Sequence, residues 1–66
     1  MTNLKCMRQV YGLSQSQLSD RSGVNVRLIQ DYEQGHKSIN NAKAITVHKL
    51  AHVLNCTVED ILELDK

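Results

Sequence analysis

The sequence predicts an all-α fold, a compact domain of five short helices at about residues 3–11, 15–22, 25–34, 42–54 and 58–63. Three observations lead there. Apolar residues recur three and four apart in successive windows, the spacing of one helix face. Side chains suited to capping a helix start, Asn3, Ser14, Asn25 and Thr57, stand before four of these windows. Gly12, Gly23 and Gly35 stand where the first three windows end, and glycine adopts the left-handed conformation that closes a helix without steric cost. With no Phe, Trp or Pro in 66 residues, the core must be built from Leu, Ile, Val and Ala. A chain this size buries only about 60% of its unfolded surface and forms one marginally stable domain, residues 1–66.

The first helix, capped by Asn3, runs to Tyr11 and stops at Gly12. Leu4, Met7, Arg8 and Tyr11 share one of its faces. Arg8 is a charge inside an otherwise apolar stripe, and a partly buried guanidinium without an acceptor costs several kcal/mol. Two readings stand for it. One is a structural ion pair with Glu33, beside core Tyr32 on the third helix. The other is a phosphate contact from the edge of the first helix.

Gln15 to Gly35, QSQLSDRSGVNVRLIQDYEQG, organises the rest. Ser14 caps the second helix with Gln17 as its capping-box partner. Leu18 is apolar, and the small Ser19 lets the next helix cross close by. Gly23 makes the turn, and Asn25 caps a third helix on which Leu28, Ile29 and Tyr32 recur at helical spacing. Leu18, Val24, Ile29 and Tyr32 pin the two helices into one corner. Val26, Arg27, Gln30, Asp31 and Gln34 are left on the outer face. A rigid corner presenting a polar helix is what a helix-turn-helix offers to the DNA major groove.

Gly12-Leu13-Ser14-Gln15, then Ser19, Gly23-Val24 and Glu33-Gln34-Gly35, at these spacings, resemble the helix-turn-helix of lambda-repressor-like domains, the Cro and XRE regulators. The resemblance runs from about Leu4 to Leu62. It implies the Arg8–Glu33 pair, and a phosphate contact from the Gln15 side chain in the first turn of the second helix. It also implies a transcriptional regulator, a repressor that binds double-stranded DNA as a homodimer on two half-sites, in a phage, mobile-element or antitoxin setting. Three features depart from the family pattern. Ser19 replaces the usual alanine. Ser22 stands where an apolar residue is common and is expected to loosen the packing slightly. The link between the third and fourth helices is about three residues longer.

Arg27 ranks first among the base readers, since its guanidinium can bond guanine in bidentate fashion. Gln30 can reach base edges and Val26 can pack on a thymine methyl. Asp31 can accept from a cytosine amino group or pair with Arg27 on the same face. Asn25, Gln34, Lys37, Ser38 and Asn40 join Gln15 as candidate phosphate contacts. Residues 36–41 read as a loop with Ile39 turned inward, or as an extension of the fourth helix at its start.

Val47, Leu50, Ala51 and Leu54 mark the fourth helix, Ala42 to Leu54. His48 and His52 are four apart on it, but no third ligand is spaced to complete a metal site, and no metal or other cofactor is called for. Thr57 caps the last helix, with Asp60 three residues on. Val58, Ile61 and Leu62 form its inward stripe, closing the core, contributing a dimer contact, or both. Leu64 is left over. Cys6 and Cys56 are far apart in sequence; a disulfide is conceivable, and a reduced pair is the ordinary cytosolic state.

Net charge is only +1. Residues 1–49 hold Lys5, Arg8, Arg21, Arg27, Lys37, Lys43 and Lys49 against Asp20, Asp31 and Glu33, an excess of four positive charges. Residues 50–66 hold Lys66 against Glu59, Asp60, Glu63 and Asp65, an excess of three negative charges. A basic body with an acidic tail fits one face on phosphate and another turned away. No apolar run approaches the roughly 20 residues of a membrane span, and MTNLKCMRQV lacks the apolar core of a signal peptide, so a cytoplasmic protein is expected. No catalytic set can be placed and no Gly-rich phosphate loop exists, so an enzyme is not expected. A protein-interaction module, presenting the same third-helix face to a protein partner, is the alternative to DNA.

Overall fold

The structure, a computed structural model, describes residues 2–64. Its first helix, α1 (Asn3–Tyr11), is capped by Thr2 rather than by Asn3. The Thr2 hydroxyl accepts from the Lys5 amide at 3.3 Å. Asn3 is thereby released to donate its side-chain amide to the Leu62 carbonyl at 2.8 Å. Leu4 is fully buried, and Gly12 closes the helix at φ 85°. Tyr11 stays 47% exposed, contrary to its place in the expected stripe. The chain reverses at Gly12 and delivers Leu13 to the core instead, its amide bonded back to the Arg8 carbonyl at 3.1 Å.

Helix α2 (Gln15–Ser22) opens on the expected capping box. The Ser14 hydroxyl accepts from the Gln17 amide, and the Gln17 carboxamide accepts from the Ser14 amide. Helix α3 (Val26–Gln34) starts one residue after its cap, Asn25. Helix α4 (Ala44–Val53) starts two residues later than expected, because Ile39–Asn41 winds into a separate 3₁₀ turn that α4 does not absorb. The long link is therefore neither plain loop nor helix extension. Ile39 points inward from this turn and is buried.

Helix α5 (Val58–Ile61) has its own capping box between Thr57 and Asp60. It ends two residues earlier than expected, at Ile61. Leu62 is extended, and Glu63 is drawn into a clasp. The Glu63 amide donates to the Asn40 carboxamide oxygen at 2.9 Å, and the Asn40 amide nitrogen donates to the Glu63 carbonyl at 2.8 Å. The Glu63 carboxylate accepts from the Asn3 amide at 2.6 Å, at the positive end of α1. Leu64 is exposed, and Asp65 and Lys66 of the acidic tail lie outside the described residues.

Packing follows from these elements. Helix α2 lies on α3 and α4, while α1 lies on α5 and α3. Leu4, Leu18, Ile29, Leu50 and Ile61 are fully buried, one from each helix, and each stabilises the fold by roughly 1.5–3 kcal/mol. Val24, Tyr32, Val47, Ala51 and Leu54 close around them, with Val58 and Leu62 partly buried at the edge. Cys6 and Cys56 are half-buried thiols. Burial, and then the nearby Asp60 carboxylate, raise the Cys56 thiol above the ordinary cysteine range.

Candidate nucleic-acid interface

The corner between α2 and α3 is held by side chains as much as by Gly23. That glycine sits at φ 76°, and its amide donates to the Ser19 carbonyl at 2.9 Å. Ser19 and Ser22, the two departures from apolar or alanine-like residues, both bond Val24. The Ser19 hydroxyl donates to the Val24 carbonyl at 2.7 Å, and the Ser22 hydroxyl accepts from the Val24 amide at 3.1 Å. Ser22 is buried with its oxygen satisfied, so it pins the turn rather than loosening it. Asn25 then caps α3 by accepting from the Arg27 amide at 2.8 Å.

Glu33 is the hub that fixes this corner on the rest of the domain. Its side chain is only 1% exposed. One carboxylate oxygen accepts from Arg8 Nε at 2.7 Å; the other accepts from Arg8 Nη2 at 3.0 Å and from Gln15 Nε2 at 3.0 Å. Arg8 Nη1 donates to the Leu13 carbonyl at 2.8 Å. Four segments, α1, the α1–α2 link, α2 and α3, thus meet at one ion pair. The bidentate geometry and the extra donors are what make a buried pair tolerable. Among the described residues no buried side-chain polar atom lacks a partner.

At 3.6 residues per turn, Arg27, Gln30, Asp31 and Gln34 fall within about 100° of arc on α3. Ile29, Tyr32 and Glu33 occupy the opposite side and are buried. Arg27 and Gln34 are exposed, and Val26, Gln30 and Asp31 are half-buried beside them. Asp31 does not pair with Arg27. Its carboxylate lies 3.6 Å from His36 Nδ1 and 4.0 Å from Lys37 Nζ, and its carbonyl accepts from both their amides. The helix reverses at Gly35, which brings those two residues back over the Asp31 end.

The candidate phosphate contacts divide in two. Asn25, Gln34, Lys37 and Ser38 are exposed. Gln15 and Asn40 have side chains bonded within the domain, Gln15 to buried Glu33 and Asn40, itself exposed, to the Glu63 backbone. At Gln15 the first-turn backbone amides of α2 remain as donors at the positive end of the helix. Asn40 is exposed and also anchors the Ile39–Asn41 turn, its carboxamide oxygen and one of its two N–H groups being bonded to the Glu63 backbone. Neither this clasp nor the Gln15–Glu33 bond is legible in the sequence.

Two helices locked at a glycine turn, with the polar face of the second left open, define a helix-turn-helix domain. Comparison with known families finds the same: a family model described as "Helix-turn-helix" matches residues 4–61. The chain belongs to that family, in its lambda-repressor-like, Cro and XRE branch, and is a DNA-binding regulator of the XRE type. Searches of curated proteins and of solved structures returned no match. The family is one of DNA-binding regulatory domains and is not typically enzymatic. Among the described residues no helix is long and apolar enough to cross a membrane, and no three His, Cys, Asp or Glu side chains are grouped to hold a metal.

Proposed function

We propose that this chain is a sequence-specific transcriptional repressor that binds a two-half-site operator as a homodimer in the cytoplasm. The observation that carries the proposal is the polar α3 arc of Arg27, Gln30 and Gln34, with Arg27 and Gln34 exposed and Gln30 half-buried between them, while its back is locked on Glu33 and the core. Arg27 reads guanine or clamps phosphate, Gln30 bonds a base edge, and Val26 packs on a thymine methyl. Asp31 faces the same groove with its charge offset by Lys37, and accepts from a cytosine amino group. Asn25, Gln34, Lys37, Ser38 and the α2 amino terminus at Gln15 hold the phosphates on either side.

Size supports two copies. The longest dimension of the domain is 30 Å, and adjacent half-sites on one DNA face lie roughly 34–36 Å apart. One domain therefore covers one half-site.

Arg27→Ala is expected to weaken specific binding by about 1–3 kcal/mol, read by fluorescence anisotropy on a bound duplex, with the melting temperature little changed. Unaltered affinity would remove Arg27 from the reading set. A second reading, a protein partner on the same face, is favoured by the net charge of only +1. Duplex binding by the unaltered chain separates the two: retention of duplex at low salt supports DNA, and no retention leaves the face to a protein partner.

A further inference from the structure

A second cationic site lies away from the reading face. The last turn of α2 and the second half of α4 border an open cleft of about 190 Å³, lined by Arg21, Ser22, His48, Lys49, His52 and Val53. At ~30 Å³ per water, that is room for about six waters, enough for a tetrahedral oxyanion. Among the described residues no carboxylate lines the cleft, and neither Arg21 nor Lys49 is in a salt bridge. Asp60 lines a different cleft, which shares His52, and its carboxylate is committed to the Thr57 amide at 3.0 Å. Helix-dipole complementarity accounts for basic residues in a last helical turn, as at Arg21 and His52, but not for His48 and Lys49.

The two imidazoles are stacked, their centroids 6.2 Å apart and their planes at 25°. Arg21 lines the same cleft and supplies a planar fork suited to phosphate, and Lys49 adds a point charge. We propose that this cleft is a binding site for a phosphate-class oxyanion. The site is independent of the DNA-reading role of α3, since no α3 residue lines it. It abuts the Ser22–Val24 bond that pins the turn, so an occupant would sit directly behind the corner.

The test is a titration of the full chain with inorganic phosphate at constant ionic strength, chloride balancing, followed by amide and imidazole NMR shifts. Saturable shifts at Arg21, Ser22, His48, Lys49 and His52 are expected. In an Arg21→Gln/Lys49→Gln double variant, affinity is expected to fall by about tenfold or more, as loss of charge-assisted bonds requires. Both side chains are exposed, and unchanged shifts elsewhere in the spectrum would verify the fold. Linear shifts without saturation, or unchanged affinity in the double variant, would overturn the proposal. A repeat with bound duplex identifies the source. Phosphate affinity unchanged by duplex assigns the site to a free phosphate compound, and displacement of phosphate from the cleft assigns it to the DNA backbone.

Discussion

Glu33 is one side chain on which three helices depend. Two readings of Arg8 were open in the sequence, and the placement of Glu33 joins it to Arg8 in a bidentate pair. The charge in an apolar stripe was legible because burial of an unpaired guanidinium is too costly to be accidental. The third partner, Gln15, was not legible, since a first-turn glutamine has several equally cheap acceptors until the tertiary structure selects one. Glu33→Ala would leave Arg8 buried without its carboxylate, and is expected to destabilise the fold by about 3–5 kcal/mol in urea unfolding. A midpoint unmoved by the change would show that the hub does not hold the domain. Gly23 makes a different kind of test. A Cβ placed there meets nothing within 4 Å, so Gly23→Ala carries only the backbone strain of φ 76°. The expected loss is about 1 kcal/mol, and a loss several times larger would show that space, not conformation, requires glycine.

At the scale of the element, caps and apolar spacing located the starts of α2, α3 and α5 closely because their signals are local. Ser14, Asn25 and Thr57 all cap where expected. The errors fall where a distant segment decides. Thr2 takes the cap from Asn3 because Asn3 is wanted by Leu62, 59 residues away in sequence. The Ile39–Asn41 turn stays separate from α4 because Asn40 is held by Glu63, 23 residues away. Neither preference can be read from neighbouring residues. Asn40→Ala removes both clasp bonds and is expected to cost about 1–2 kcal/mol. It should also speed hydrogen exchange at the Glu63 amide, whose acceptor is lost. Exchange at Glu63 unchanged in the variant would mean that the clasp does not govern this segment.

For the molecule as a whole, the fold was the most legible feature and the interface the least. Five fully buried aliphatic residues, one per helix, follow from the periodicity of the sequence. The outer face of α3 was legible as a surface, since whatever is polar and opposite Ile29 and Tyr32 must face outward. What that surface does was carried by the resemblance and by the family match over residues 4–61, not by charge, for +1 is a weak signal of a nucleic-acid ligand. Affinity for DNA is expected to come mainly from phosphate contacts and to fall with salt in proportion to their number. The most direct measurement is selection of binding sequences by the full chain from a random duplex pool, repeated at raised salt. A recovered palindrome, with half-sites about one helical turn apart and binding that weakens with salt, is the predicted result. Recovery of no motif, with no duplex retained even at low salt, would contradict the account and leave the α3 face to a protein partner.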